Sequence, residues 1–146
     1  MLLETRDLAI ASVHFFEGCK DLNVVQATEL YCNVLKNPYI HVLGHIGRSG
    51  LPFEIDEVVK TAGVEGKMIE INEHSFDSGE TVICRCREIA LACARYGTSV
   101  CVGSDAHSAF FIGKFERTVA MLEEIDFPKE LIANTSLNKL MSKLKS

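Results

Sequence analysis

Residues 67–103, KMIEINEHSFDSGETVICRCREIALACARYGTSVCVG, contain the pattern that decides the fold. Residues 67–72 alternate apolar and polar side chains, as a strand does, and residues 98–103 form a second short run that we predict to be a strand. Between them, apolar side chains recur at helical spacing from Glu80 to Tyr96, and Gly97 supplies a helix stop. A strand, a helix and a second strand in this order predict two parallel strands joined by a right-handed crossover.

Two further strands are predicted upstream of this central unit. Residues 7–14 combine small and branched apolar side chains, as in a buried strand, and residues 39–44 form another short apolar run. A helix separates them, because Asn23 is a candidate N-cap with a glutamine three residues later and Asn37-Pro38 ends the helical pattern. A shorter helix with an apolar face over residues 55–62 leads on to the central unit.

Two helices are predicted after the central unit. Phe115, Val119 and Leu122 mark the first helix, and Ser136 is the candidate N-cap of the second. The apolar face of this last helix consists of Leu137, Leu140, Met141 and Leu144. Residues 1–146 are thus predicted to form a single α/β domain of about four parallel strand–helix units. Such units make up either half of an eight-fold (βα) barrel or a small open sheet.

The composition is that of an ordinary globular domain. The chain has 146 residues, of which 47% are hydrophobic and 24% charged, and these values exclude disordered and collagen-like classes. A net charge of −5 is the opposite of the basic surface that binds nucleic acid or anionic membranes. No apolar run approaches the roughly 18 residues that span a bilayer, and the first residues lack the positive region of a signal peptide. We therefore expect a cytoplasmic protein.

Six cysteines allow two interpretations. They are Cys19, Cys32, Cys84, Cys86, Cys93 and Cys101. An even number of cysteines in a short chain can form disulfides, but these lie within apolar helix and strand patterns and no export signal precedes them. Free thiols in a reducing compartment are the favoured interpretation. The single residue between Cys84 and Cys86 is not the spacing of a zinc knuckle or a redox pair.

Polar side chains capable of chemistry follow every predicted strand. They are His14 after the first strand, His45 after the second, Glu70 and Asn72 at the end of the third, and Asp105 and His107 after the fourth. Because the carboxyl ends of parallel strands lie on one side of a sheet, we expect these side chains to share one edge. Imidazole and carboxylate groups together suit zinc, manganese or iron. The sequence therefore predicts a metal site at this edge.

Each of these residues also has a structural explanation when taken alone. His14 is explained as a polar residue satisfied at a strand end, Asp105 as a turn cap after a glycine, and Glu70 as the partner of a neighbouring lysine. His41 lies inside a predicted strand, which favours a structural role, and His74 lies in a loop, which favours a solvated one. The convergence of several strand ends on one edge is what favours the metal site.

Four stretches carry a resemblance to a known family. They are YIHVLGHIG (39–47), KMIEINEHSF (67–76), CREIALACARYGTSVCVGSDAHSAFFIGKFE (86–116) and FPKELIANTS (127–136). Together they resemble the PHP (polymerase and histidinol phosphatase) family, and most of all its small stand-alone bacterial phosphatases. The resemblance implies a distorted (βα)7 barrel, a site with several divalent metal ions, zinc or manganese, and the hydrolysis of a small phosphorylated substrate.

The resemblance also assigns residues. GSDAH matches the family's Asp-x-His metal motif, so that Asp105 and His107 are implied metal ligands, and DLAIASVH matches a strand that ends in a third ligand, His14. His45 matches a histidine beside the family's site, but His-Ile-Gly stands here where His-Pro-Gly is usual. It is carried over only as a candidate for contacting substrate or supporting a ligand. Glu70 matches the family's Glu-Ile-Asn strand end without an assigned role.

One departure from the family pattern is large. Family members begin with a strand that carries His-x-His and then supply a metal-bridging glutamate, and this sequence contains neither feature. The resemblance therefore implies the carboxyl-terminal portion of a barrel that keeps about half of the metal ligands. We expect weak or no activity of the isolated chain. We also expect a second copy, or a separate complementing chain, to cover its open strand edges and apolar interior.

Three functions follow from these observations. The first is a metal-dependent phosphoester hydrolase or its remnant, in which Arg48 either contacts phosphate or is a solvated loop charge. The second is a non-catalytic fragment that folds as an open or oligomeric α/β unit. The third is a nucleic-acid processing module, because PHP domains accompany some DNA polymerases. The net charge of −5 argues against this third function.

Overall fold

The computed structural model describes residues 5–14 and 16–144, and a parallel four-stranded sheet lies at their centre. The strands are β1 (Ile10–Ser12), β2 (Val42–Gly44), β3 (Met68–Asn72) and β4 (Val100–Gly103). The helices are α1 (Val24–Leu35), α2 (Ile55–Val64), α3 (Glu80–Tyr96), α4 (Glu116–Glu124) and α5 (Leu137–Leu144). The prediction of an α/β fold with parallel strands alternating with helices is confirmed.

The order of the strands distinguishes between the two architectures that the sequence allowed. The strands pair as β1-β2-β3-β4, each beside its neighbour in the chain, and every pairing is parallel. A doubly wound open sheet would reverse direction at a switch point, whereas strands in chain order with their helices on one face form the wall of a barrel. The strand order is therefore consistent with part of a (βα) barrel wall and not with a doubly wound sheet.

Local sequence signals account for the helix boundaries. The Asn23 side chain accepts the backbone N–H of Gln26, and the Gln26 side chain accepts the N–H of Asn23, so that α1 begins with the predicted capping box. Helix α3 spans the predicted residues and ends at Gly97, whose φ of 69° suits glycine. The hydroxyl of Ser136 accepts the N–H of Lys139 at 3.3 Å, as expected of the N-cap of α5.

The two faces of the sheet are covered very differently. On the helical face, Leu43, Ile69 and Val100 are buried against a core to which α1, α2, α3 and α4 contribute. On the opposite face, called the α5 face here, Val42 and Met68 pack with Leu140 and Leu144 of α5. Helix α5 thus covers only one end of this face, at the starts of the strands.

Two predicted apolar faces are only partly buried. Val119 is exposed because α4 turns Thr118, Met121 and Leu122 towards the core. Leu137 is also exposed. The short helix α5 presents only its later leucines to the sheet. Phe115 precedes α4 and does not belong to it.

All six cysteines are free thiols, in agreement with the favoured interpretation. Burial raises the pKa of Cys93 to about 12, so that this thiol is protonated and unreactive at neutral pH. None of the helices in residues 5–14 and 16–144 is long and apolar enough to cross a membrane.

Candidate functional site

The polar residues predicted to converge do lie at the carboxyl-terminal edge of the sheet, which is called the rim here. The rim consists of His14 after β1, residues 45–48 after β2, residues 72–77 at the end of β3 and beyond, and residues 104–107 after β4. The strands hold these segments side by side because every pairing in the sheet is parallel. Their side chains form two neighbouring clefts.

The first end of the rim brings two histidines into contact. The rings of His14 and His45 pack edge to face with centroids 5.0 Å apart, and His14 Nε2 lies 3.2 Å from the hydroxyl of Ser12. His45 begins a tight turn with a φ of 34°, a left-handed conformation that is uncommon outside glycine. Its Nδ1 is buried and has no hydrogen-bond partner among the described residues.

The protonation state of His45 follows from its surroundings. Burial lowers the pKa of His45, and the positive charge of Arg48 lowers it further. The ring is therefore neutral at physiological pH. A buried imidazole nitrogen without a partner is costly in a finished core and is suited to a ligand.

Glu70 fixes the turn that carries His45. Its Oε2 accepts the backbone N–H of His45 at 2.8 Å, and its Oε1 accepts from the Asn72 amide at 3.3 Å. The carboxylate lies over Gly44 and Gly103 of the neighbouring strands, where a Cβ at residue 103 would overlap Oε1. Glu70 thus pairs with the His45 backbone and the Asn72 side chain, and not with the neighbouring lysine that the sequence allowed as its partner.

Arg48 and Asp105 form an ion pair in the middle of the rim. Arg48 Nη2 donates to Asp105 Oδ2 at 2.9 Å, and both side chains are partly buried. Burial would raise the pKa of Asp105, but hydrogen bonds from Arg48 and Asn72 outweigh it and hold the pKa below its ordinary value. Asp105 is thus ionised at neutral pH. The interpretation of Arg48 as a solvated loop charge is wrong, because the turn after β2 directs it to the β4 loop.

The loop after β4 holds His107 in one tautomer. His107 Nδ1 lies 2.8 Å from the backbone carbonyl oxygen of Asp105. A carbonyl oxygen only accepts, so Nδ1 is the donor and the lone pair of the neutral ring is on Nε2. The ring also packs against His74 with centroids 5.0 Å apart, and His74 Nδ1 lies 3.0 Å from Asp77 Oδ2. His74 is therefore half-exposed but engaged, and not simply solvated.

A buried glutamate in the loop after β3, Glu73, was not predicted from the sequence to belong to the rim. Glu73 accepts the N–H of Thr118 and the Nε–H of Arg117, each at 2.8 Å, so that it caps α4 from the loop after β3. Arg117 also donates to Asp77 at 2.6 Å. Burial opposes ionisation of Glu73, yet these hydrogen bonds lower its pKa. The partners lie 44 residues apart in the chain, and no local pattern links them.

The side chains of the rim line two clefts. The first, of about 340 Å³, is lined by His14, His45 and Arg48 among others. The second, of about 500 Å³, is lined by Asp105 and His107 among others. No hydrogen bond or ion pair within the described residues joins His14 to either of these two side chains. The Arg48–Asp105 pair links one cleft to the other.

The described residues do not form a complete metal site on their own. Within residues 5–14 and 16–144, no group of three or more His, Cys, Asp or Glu side chains is arranged to hold a metal ion. A catalytic zinc takes three protein ligands, so these residues alone do not fit a complete zinc site. The assignment of His14, Asp105 and His107 as metal ligands stays a prediction. The lone pair on His107 Nε2 and the ionised Asp105 are the donor types that this assignment needs.

Comparison with known proteins gives one consistent result. The chain is 39% identical over 138 residues to a "Probable phosphatase" of Acetivibrio thermocellus, with 94% of this chain and 56% of the relative covered. It is 38% identical over 147 residues to a "Probable phosphatase" of Clostridium novyi, with 99% and 59% covered. A third relative, from Caldanaerobacter subterraneus, is 40% identical over 144 residues, with 95% and 55% covered, and has the same name.

The chain therefore spans a little over half the length of the curated relatives that it matches. No protein-family model matches the chain. The similarity extends over almost all of this chain, and so it includes both clefts of the rim.

Proposed function

We propose that the chain belongs to a phosphoester hydrolase of the PHP type and that its rim forms part of the active site. The proposed substrate is a small phosphorylated molecule. The observation that carries the proposal is the similarity to proteins named probable phosphatases over 94% to 99% of the chain. The geometry of the rim supports it, since two adjoining clefts contain imidazoles, an ionised carboxylate and a guanidinium. These groups suit the binding and hydrolysis of phosphate esters.

His14, Asp105 and His107 are the residues proposed to hold divalent metal, zinc or manganese. Such a metal, when bound, lowers the pKa of a coordinated water and neutralises phosphate oxygens. The chain's own contribution is to prepare the donors. The backbone carbonyl of Asp105 orients the His107 ring, and the Arg48 guanidinium keeps the Asp105 carboxylate ionised.

Arg48 is the proposed phosphate-binding residue of the chain. Only its Nη2 is used by Asp105, and its side chain lines the cleft that contains His14 and His45. A guanidinium has five N–H donors, and so the others remain for phosphate oxygens. His45 lines the same cleft in its neutral form. It is proposed to contact substrate or to support a ligand.

The ligand set is proposed to be completed by another polypeptide, either a second copy of the chain or a complementing chain. The exposed side of the sheet supports this proposal, because Ile10 on β1 is 52% exposed and α5 leaves the ends of the strands uncovered. The alternative function is a non-catalytic α/β unit, and it is favoured by the absence of three arranged metal ligands among the described residues.

The test is metal analysis combined with hydrolysis of p-nitrophenyl phosphate in the presence of manganese or zinc. It uses the purified chain alone and mixed with the part of the Clostridium novyi relative that the chain does not span. We expect metal binding and turnover in the mixture, and Asp105→Asn to lower turnover about 100-fold or more with loss of metal.

The matched control is Asp21→Asn, which changes an exposed aspartate that lines neither cleft and is expected to leave metal content and turnover unchanged. Solution mass measured on the same samples identifies the complex that forms. Absence of bound metal and of turnover in both samples contradicts the hydrolase and favours the non-catalytic unit. Unchanged metal content in Asp105→Asn contradicts the assignment of the ligands.

A further inference from the structure

The larger cleft of the rim contains two side chains that the proposed hydrolysis does not use. Phe111 lies in a single 3₁₀ turn, Ala109–Phe111, directly after the loop that carries Asp105 and His107, and its ring lines the same cleft. Lys114 lines this cleft too, and its Nζ lies 5.3 Å from the centroid of the Phe111 ring. The pair forms one wall, called the Phe111 wall here.

Three of the four carboxylates in this cleft are already paired, and the fourth, Glu116, has no ion-pair partner among the described residues. Arg117 donates to Glu73 and to Asp77, and His74 contacts Asp77. Asp105 is paired with an arginine outside the cleft. By contrast, Lys114 Nζ has no carboxylate partner within the described residues and lies instead over the face of the Phe111 ring. An unpaired ammonium group in a cleft attracts an anionic ligand.

The Phe111 ring is largely exposed to solvent, which is unfavourable for an apolar side chain. The residue is 57% exposed, and a ligand bound in the cleft would shield the ring from water. The preceding residue, Phe110, is 83% exposed but does not line the cleft. An aromatic ring on the wall of an otherwise polar cleft provides a surface on which a planar group stacks. The ammonium group of Lys114 makes a cation–π contact with the Phe111 ring, which an aliphatic side chain at residue 111 would not make.

We propose that the Phe111 wall binds the ester group of the substrate and selects phosphate monoesters of ring-bearing alcohols. Phe111 stacks on the planar ring, and Lys114 Nζ attracts the anionic ligand into the cleft. This inference rests on the proposed function for the phosphate end of the substrate, since the wall shares its cleft with Asp105 and His107. It goes beyond that function because it names the part of the substrate that is recognised away from the phosphate.

The first test compares the kcat/KM for phenyl phosphate with that for glycerol phosphate in whichever sample is active. We expect Phe111→Ala to lower this ratio about fivefold, the size of effect that an aromatic pair produces. Phe111→Tyr keeps the ring, and so it keeps the ratio. The matched control is Phe110→Ala, which removes the same side chain from a position outside the cleft and leaves the ratio unchanged. An unchanged ratio in Phe111→Ala, or an equal loss in Phe110→Ala, overturns the inference.

The second test needs no turnover. Saturation-transfer NMR on the 146-residue chain measures contact with the ring protons of phenyl phosphate. We expect a signal in the wild type that is lost in Phe111→Ala, retained in Phe110→Ala and weakened several-fold in Lys114→Gln. Absence of the signal in the wild type overturns the inference. Binding without hydrolysis in any sample contradicts the proposed function alone, whereas hydrolysis with no preference for the ring contradicts this inference alone.

Discussion

The two faces of the sheet differ in what covers them and in what they contain. On the helical face, Leu43, Ile69 and Val100 are at most 1% exposed beneath four helices. On the α5 face, a single short helix covers the strand starts, and polar groups such as Glu70 occupy the other end. Because successive residues of a strand point to opposite faces, the same short strands serve both. Apolar burial on one face supplies the stability, and the other face is left for polar groups.

Two glutamates at the end of β3 make the same contrast in detail. Glu73 caps α4 and ties that helix to the helical face through Arg117 and Thr118. Glu70 lies on the opposite face, and it holds the turn of His45 instead of a helix. One carboxylate therefore serves the fold, and the other serves the rim. Three measurements sharpen this comparison or contradict it.

The largest expected difference is between apolar truncations on the two faces. Ile69→Ala on the helical face removes a fully buried side chain, and we expect it to lower the free energy of unfolding by about 3–5 kcal/mol. Leu140→Ala on α5 removes a partly buried side chain, and we expect a loss of about 1–2 kcal/mol. Urea denaturation of the two variants measures both. Equal losses contradict the view that stability comes mainly from the helical face.

A smaller loss is expected where the α5 face is most crowded. In Gly103→Ala the new Cβ overlaps Oε1 of Glu70, and we expect a loss of about 1–3 kcal/mol from overpacking. The control is the same substitution in a Glu70→Ala background, where the overlapping atoms are absent and the loss becomes smaller. Denaturation of the four proteins completes the cycle. A loss of the same size in both backgrounds shows that the crowding does not come from Glu70.

Much of the fold was predictable because its signals are local. The capping box at Asn23 and the glycine that ends α3 lie within one helical turn of the ends that they set. The placement of His14 and His45 at one edge also followed from the rule that parallel strands end together. Periodicity was less informative about α5, since it does not show how far a short helix reaches over a sheet.

The pairings within the rim were not predictable by the same means. Arg48 and Asp105 lie 57 residues apart, and a turn with a positive φ at His45 brings them together. Glu73 and Arg117 are 44 residues apart on different elements. Hydrophobic periodicity identifies the face of each element but not which polar side chains meet between elements. The strand ends therefore predicted a site, and only the structure gives its partners.

The smallest expected effect concerns the glutamate on the helical side of the comparison. Since folding lowers the pKa of Glu73 below its ordinary value of 4.5, its ionised form stabilises the fold above that pH, and this contribution is lost as the pH falls through the lowered pKa. We expect Glu73→Gln to lower the free energy of unfolding by about 1 kcal/mol at pH 7 and to make it less dependent on pH below 4.5. Urea denaturation across that range measures both effects, with Glu130→Gln as the exposed control. If Glu73→Gln keeps the acid sensitivity of the wild type, α4 is held by its apolar contacts alone. That result contradicts the view that Glu73 stabilises the fold whereas Glu70 organises the rim.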